Sequence, residues 1–250
     1  MDSHRLSAKQ VCTYEREGYL VLPSLFSAQE IDDLHQHARS DPKLETQSVQ
    51  HADASGKSSR LWITDELNED LYSSFATSPQ VIAPVTQLLG ETPLHFHHKV
   101  MQKQPRTGGA WEWHQDYGYW YALEQFPYPS LISCYIAIDK ATRENGCLQL
   151  LAGSHLAGRI DHGLTGEQHG ADMTRVAALQ QKLPLIYGEL NPGDVLLFHS
   201  NTLHRSDDNI SNNPRWSLIC CYTAASNLPL REDNPPRLTP IPAMNDIYPS

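Results

Sequence analysis

The chain has no long apolar run. Its longest, Leu131 to Ile138, is strand-sized and broken by Ser133, well short of the ~20 residues a membrane-spanning helix needs. The opening Met1-Asp2-Ser3-His4-Arg5-Leu6 carries no apolar core of the signal-peptide kind, so a cytoplasmic protein is expected. Cysteine is scarce and odd in number: Cys12, Cys134, Cys147, Cys220 and Cys221, with no C-x-x-C spacing. That argues against a disulfide framework and a zinc ribbon and leaves buried, reduced thiols. Basic residues are also short, 19 Lys and Arg against 29 Asp and Glu, a formal net charge of -10. Nucleic acids and anionic membranes both demand a basic surface, so neither is expected as a partner. What remains is an ordinary globular composition, 40% hydrophobic and 19% charged over 250 residues, enough for one sizeable core. The expectation is a single domain over 1–250 that acts on a small molecule as a monomer or homodimer.

Hydrophobic periodicity divides the chain into a helical region of about 1–92, a strand-rich core of about 93–225 and a Pro-rich tail, 229–250. Ser7 is placed to cap a first helix that Gly18 ends before Tyr19-Leu20-Val21-Leu22. Ser27 and Glu30 form a capping box for a second, and Ser78-Pro79 opens a third that Gly90 terminates. Residues 40–60 are polar and aperiodic and read as a mobile loop. From residue 94 the pattern shortens to strands: Leu94–Gln102, Leu131–Asp139, Leu148–Leu151, Leu185–Leu190, Val195–Phe198 and Trp216–Thr223, with Gly- and Pro-bearing turns among them. Such a series predicts a sandwich or barrel. An insertion at 154–184, with a helical stretch near Asp172–Lys182, is the expected lid; the tail is expected to wrap the surface. No internal repeat is present.

The chemistry sits in His114-Gln115-Asp116, a distant His204, and Arg215 beyond it. Two histidines and one carboxylate occupy three positions of an octahedral metal and leave the rest open, the arrangement that suits non-haem Fe(II) oxygenases. In extended chain, residues i and i+2 share a face, which would bring His114 and Asp116 together. Arg215 opens an apolar strand, where an inward-facing guanidinium needs an anion, and the far carboxylate of 2-oxoglutarate is such an anion. With 13 histidines in the chain a His-x-Asp alone is cheap; the downstream His and Arg give it weight. A rival metal site lies at His95-Phe96-His97-His98, where His95 and His97 would share a strand face as zinc ligands do, without an evident third ligand. A metal-binding jelly roll lacking oxygenase activity is the further alternative.

Several segments together resemble the phytanoyl-CoA dioxygenase family. They are Trp113-His114-Gln115-Asp116, Ile136-Ala137-Ile138-Asp139, Glu144-Asn145-Gly146-Cys147-Leu148, Gly153-Ser154-His155, Pro192 to His199 with His204 and Arg215, and the opening Glu17 to Leu22. Within the family, the Trp-x-Trp-His-x-Asp context resembles the branch that hydroxylates ectoine and free amino acids more than the acyl-CoA enzymes. The resemblance implies a mainly β fold, a double-stranded β-helix (jelly roll, cupin-like) with N-terminal helices packed on its major sheet. It implies Fe(II) on His114, Asp116 and His204, with 2-oxoglutarate and O2 as co-substrates and succinate and CO2 as products. It implies that Arg215 holds the 2-oxoglutarate carboxylate, that Ser217 on the same strand face adds a hydroxyl, and that Gln102, Ser133 and Tyr135 contact the co-substrate.

For the substrate, Tyr117-Gly118-Tyr119-Trp120-Tyr121 offers an aromatic wall beside the metal, and Arg159, His162, His169 and Arg175 offer charges on the lid. Trp111 and Trp113 serve pocket or core. A polar, amino-acid-like metabolite is the leading expectation and a hydrophobic natural-product intermediate the second; hydroxylation, desaturation and epimerisation stay open.

Overall fold

In the computed structural model, which describes residues 4–165 and 168–241, the elements run α1 (Ala8–Glu17), β1 (Tyr19–Leu22), α2 (Ala28–Ser40), α3 (Pro42–Thr46), β2 (Val49–Ala52), β3 (Ser58–Thr64), α4 (Leu71–Ala76), α5 (Pro79–Leu89), β4 (Pro93–Lys103), β5 (Trp111–His114) and α6 (Asp116–Leu123). They continue as β6 (Leu131–Ala137), β7 (Leu148–Leu151), β8 (His162–Thr165), β9 (Gln168–Ala171), α7 (Met173–Gln180), β10 (Leu185–Gly188), β11 (Val195–His199), β12 (His204–Ser206), β13 (Arg215–Ala224) and β14 (Thr239–Pro240). No helix among the described residues is long and apolar enough to cross a membrane.

Two antiparallel sheets face each other. The larger has the order β1-β11-β6-β13-β4-β3-β2, with β14 added on β4; the smaller has the order β10-β7-β12-β5. Alternation along the central strands builds two apolar layers. Cys134 and Ile136 of β6, Leu218 and Cys220 of β13 and Val195 and Leu197 of β11 pack against the helices through Ile31, Leu34, Phe75, Val81 and Val85. Their neighbours Tyr135, Ala137, Ile219, Cys221, Leu196 and Phe198 point between the sheets. Both faces are therefore covered, and every residue of β6 and β13 is buried. The helix caps form where expected: Ser7 closes a capping box with Gln10 and Ser27 one with Glu30, while Gly18 and Gly90 take left-handed conformations at the C-caps.

Three expectations need correction. Residues 40–60 are not a loop: α3 and the β2–β3 hairpin form there and extend the larger sheet. Their polar, half-exposed pattern hid them, because an edge hairpin buries little on its outer face. Asp116 is not on a strand but is the first residue of α6. The tail residues up to Ile241 do more than wrap, since β14 hydrogen-bonds to β4; residues 242–250 of the expected tail lie outside the described residues.

The His95/His97 pairing also fails. The β4–β13 register breaks between Cys221 and Tyr222, so Phe96 is an extra residue on β4. Such a bulge turns the side chains on its two sides relative to each other. His95 thus meets His98, Nε2 to Nδ1 3.0 Å, among the helix-facing residues, while His97 turns toward the space between the sheets. Among the described residues no third ligand joins them.

Buried neutral histidines make the fold acid-sensitive. Burial, reinforced by His155, lowers His199 to about 4, and its Nδ1 accepts a hydrogen bond from the Asn201 backbone, 3.0 Å. A group whose folded pKa lies below its unfolded value contributes stability that is present above the unfolded value, about 6.5, and is lost as pH falls toward the folded value. The melting temperature is expected to fall between about pH 7 and pH 4.5 and to fall less steeply in His199→Gln. Equal slopes for the two proteins would contradict this.

Candidate metal and co-substrate site

His114 ends β5 and His204 begins β12, and the two sit directly opposite in the antiparallel register. Their ring centroids are 4.1 Å apart. The chain then turns into α6 at Gln115, which is extended (φ -114, ψ 133), and the turn swings Asp116 toward the rings. Asp116 Oδ1 lies 4.0 Å from His204 Nε2. All three ligand atoms fall within 4.8 Å of one another, and this is the only such cluster of three among the described residues.

Each ligand is held by its other end. His114 Nδ1 donates to the Glu112 carbonyl at 2.7 Å, and His204 Nδ1 to the Thr202 carbonyl at 2.9 Å. This fixes the tautomer that leaves both Nε2 lone pairs facing the centre. Asp116 Oδ2 accepts from Ser133 Oγ at 2.5 Å. Burial lowers the pKa of both histidines, so they are neutral donors at pH 7. Burial alone would raise the Asp116 carboxyl; Lys99, His204 and His114 with the Ser133 hydrogen bond outweigh it and hold Asp116 ionised. Two neutral imidazoles and one carboxylate are a donor set that Fe(II) fits.

Gln115, the unremarked middle residue of the motif, is fully buried and fixes the turn. Its side-chain amide donates to the Gly158 and Asn201 carbonyls at 2.8 and 2.7 Å and accepts from Ile160 N at 2.7 Å. Its backbone N–H donates to His162 Nε2 at 2.9 Å. That imidazole packs on Gly118, where an added Cβ would lie 2.1 Å from the ring, so only glycine fits. His162, expected on a lid, instead braces the ligand turn.

The ligands open into a chamber of about 790 Å³ whose lining includes Arg215, Tyr135, Phe198 and Ser206. Arg215 is almost fully buried. Its Nη1 donates to Tyr135 Oη at 2.8 Å, while its Nε and the nearby buried Ser217 Oγ have no partner. Unpaired buried donors mark a missing acceptor, and a carboxylate has the oxygens to serve as one. A buried amine stands beside it: Lys103, opposite Arg215 in the register, donates to Ser206 Oγ at 2.8 Å and to the Asp207 carbonyl. Burial and then Arg215 push its ammonium well below its usual range. Lys103 carries no signal in the sequence; in the fold, a Cβ on Gly146 of the Glu-Asn-Gly turn would meet the Asp207 carbonyl and sit 3.1 Å from Lys103 Nζ.

Of the expected co-substrate contacts, Arg215 and Tyr135 line this end of the chamber, and Ser217 is buried two residues along β13 from Arg215. Ser133 serves the metal ligand Asp116 instead. Gln102 does not face the chamber; its amide reaches Ser48 Oγ at 3.4 Å, and Lys99 and Met101 line the chamber from β4. A one-residue offset on a strand moves a side chain to the opposite face. Tyr119 and Trp120 do form a wall, whereas Tyr117 is buried with its hydroxyl on the Phe126 carbonyl. Trp111 lines the chamber and Trp113 joins a separate apolar cluster. None of Arg159, His162, His169 and Arg175 lines it; the mouth belongs to β3 and to tail residues 234–236.

The phytanoyl-CoA dioxygenase family model matches residues 14–217. The chain belongs to that family. Among curated relatives, the L-proline trans-4-hydroxylase of Streptomyces griseoviridis is 28% identical over 240 residues, 90% of this chain and 89% of the relative. The ectoine dioxygenase of Sphingopyxis alaskensis is 26% identical over 245 residues, covering 89% of this chain and 77% of its own. Among solved structures, EctD of S. alaskensis with bound Fe superposes with a TM-score of 0.78 at 24% identity, over 92% of this chain and 81% of that one. The epimerase SnoN, in complex with Fe3+, alpha ketoglutarate and nogalamycin RO, gives 0.74 at 23% identity, over 94% of each chain. At such identities these superpositions speak to the fold, a double-stranded β-helix with flanking helices, as expected. With the triad geometry, family membership makes this chain a catalytic Fe(II)/2-oxoglutarate oxygenase of a small molecule.

Ser133→Ala removes the hydroxyl that aims Asp116. It is expected to weaken Fe(II) binding about tenfold or more with little change in melting temperature. Unchanged metal affinity in a direct titration would show that Ser133 does not position the ligand.

Proposed function

We propose that 2-oxoglutarate enters with its far carboxylate on Arg215, assisted by Ser217 and Ser206, and that its 2-oxo acid end meets the metal held by His114, Asp116 and His204. One observation carries this reading: Arg215 Nε and Ser217 Oγ are buried without partners in the interior that also holds the triad. Bound Fe(II) supplies the open coordination positions at which co-substrate and O2 meet, so a substrate C–H bond becomes C–OH while 2-oxoglutarate becomes succinate and CO2.

The protein's own part is placement. Tyr135 fixes the plane of the guanidinium, whose fork suits a carboxylate bidentately. Lys103 donates to Ser206 Oγ and leaves that hydroxyl's proton free to reach a carboxylate. Trp120 and Phe198 keep water from the space beside the triad. The reading treats the chain as one catalytic unit acting in the cytoplasm, as monomer or homodimer, with neither nucleic acid nor membrane as partner; the net charge of -10 supports this.

Asp116→Ala and His204→Ala are each expected to abolish succinate formation. Arg215→Ala is expected to raise the KM for 2-oxoglutarate about tenfold or more, the scale of a lost charge-assisted hydrogen bond. An unchanged KM would assign the carboxylate to another cation.

A further inference from the structure

The chamber is larger than its co-substrate needs. 2-Oxoglutarate and a free amino acid together displace roughly ten waters, about 300 Å³ at about 30 Å³ per water. The chamber holds about 790 Å³ and opens to solvent at its mouth, so it has room for a larger body beside the co-substrate. Its lining includes apolar side chains from three elements: Leu61 and Ile63 on β3, Trp120 and Leu123 on α6, and Pro235 and Pro236 of the tail. Ile63 is 50% and Leu123 62% exposed, large apolar surface that a free polar metabolite would leave wet.

The charges at the mouth largely cancel in pairs. Glu66 lies 3.4 Å from Arg237, Glu124 3.5 Å from Arg231, and Arg205 3.3 Å from Asp207. Besides Arg215, which the co-substrate reading uses, one further lining cation is left without a pair. Lys99 lines the chamber beside the triad and has no ion-pair partner among the described residues, and its charge helps hold the Asp116 carboxyl ionised. Asp116 is committed to the metal, so Lys99 has no anion of its own. Two residues along β4, His97 is buried and lines the same wall, with Nε2 unpartnered. A cation and an unpaired ring nitrogen on one strand face, close to the reacting centre and below an apolar slot, select for a ligand of matching shape.

Resting on the oxygenase reading above, we propose that the substrate is a flat, ring-bearing organic acid. Its carboxylate lies on Lys99 and His97, and its apolar body fills the slot between Leu61 and Ile63 on one side and Trp120 and Leu123 on the other. Of the two substrate expectations this is the bulkier one; the amino-acid-like one is the outcome that L-proline binding would favour. An acid held at Lys99 presents the carbons next to its carboxyl-bearing ring to the metal, while the slot holds the ring plane still.

The test uses the Fe(II)- and 2-oxoglutarate-loaded protein under anaerobic conditions, titrated by calorimetry with anthraquinone-2-carboxylate, neutral 2-(hydroxymethyl)anthraquinone and L-proline. The carboxylate is expected to bind at least about tenfold tighter than the neutral analogue, the scale of a charge-assisted hydrogen bond, and L-proline to give no saturable heat. Lys99→Met should erase the difference between the two ring compounds, and Ile63→Asp should weaken both. Equal binding of the two ring compounds to the wild type, or L-proline binding as tightly as the ring acid, overturns the proposal. So does a Lys99→Met variant that loses affinity for 2-oxoglutarate as strongly as for the ring acid, since Lys99 would then serve the co-substrate. Succinate formation from 2-oxoglutarate in air is measured on the same preparation. Succinate, or Fe(II)-dependent 2-oxoglutarate binding, without ring-acid binding overturns the substrate class alone; the absence of both overturns the oxygenase reading beneath it.

Discussion

Everything in this molecule depends on three side chains being held so that their free ends converge and their other ends are already bonded. His114 and His204 each commit Nδ1 to a backbone carbonyl, and Asp116 commits Oδ2 to Ser133. Without those partners, three buried polar groups within 4.8 Å of one another would turn toward each other or toward water. With them, the donors are organised before any metal arrives, and the cost of ordering the site is met by folding.

The fold supplies that arrangement in layers. The two histidines stand in register on β5 and β12 of the smaller sheet, while Ser133 and Arg215 reach inward from β6 and β13 of the larger one. The two histidines and Arg215 therefore come from opposite walls of the sandwich, and the apolar layer between the sheets sets their separation. Helices on the outer face cover the central strands, which lets β6 and β13 be buried along their whole length. The entrance is a later addition on this frame, built from the β2–β3 hairpin, α6 and the tail.

The legible parts of the sequence were those where one residue type has one physical use. Two histidines, an aspartate and a downstream arginine state their chemistry, and short apolar strands between Gly and Pro turns state a sandwich. Ser7, Ser27, Gly18 and Gly90 marked helix ends for the same reason. What escaped were relations that pattern does not encode. The extra residue Phe96 reverses the faces of β4, and no periodicity reveals a bulge. The same strand put Lys99 rather than Gln102 into the chamber. The β2–β3 hairpin is half exposed and reads as loop. Nothing in the His-x-Asp motif marks its middle residue, yet the Gln115 amide makes three hydrogen bonds that shape the turn. The tail joined the entrance through pairing with β4, a contact more than a hundred residues away in sequence.

The central claim is that the triad and Arg215 form one site, with metal and co-substrate bound jointly. Anaerobic calorimetry of 2-oxoglutarate binding, with and without Fe(II), tests it most directly. The account predicts one 2-oxoglutarate per chain, bound much more tightly when Fe(II) is present, with that enhancement lost in His204→Ala. Binding of equal strength with and without the metal would contradict it, because the carboxylate anchor would then be acting independently of the triad.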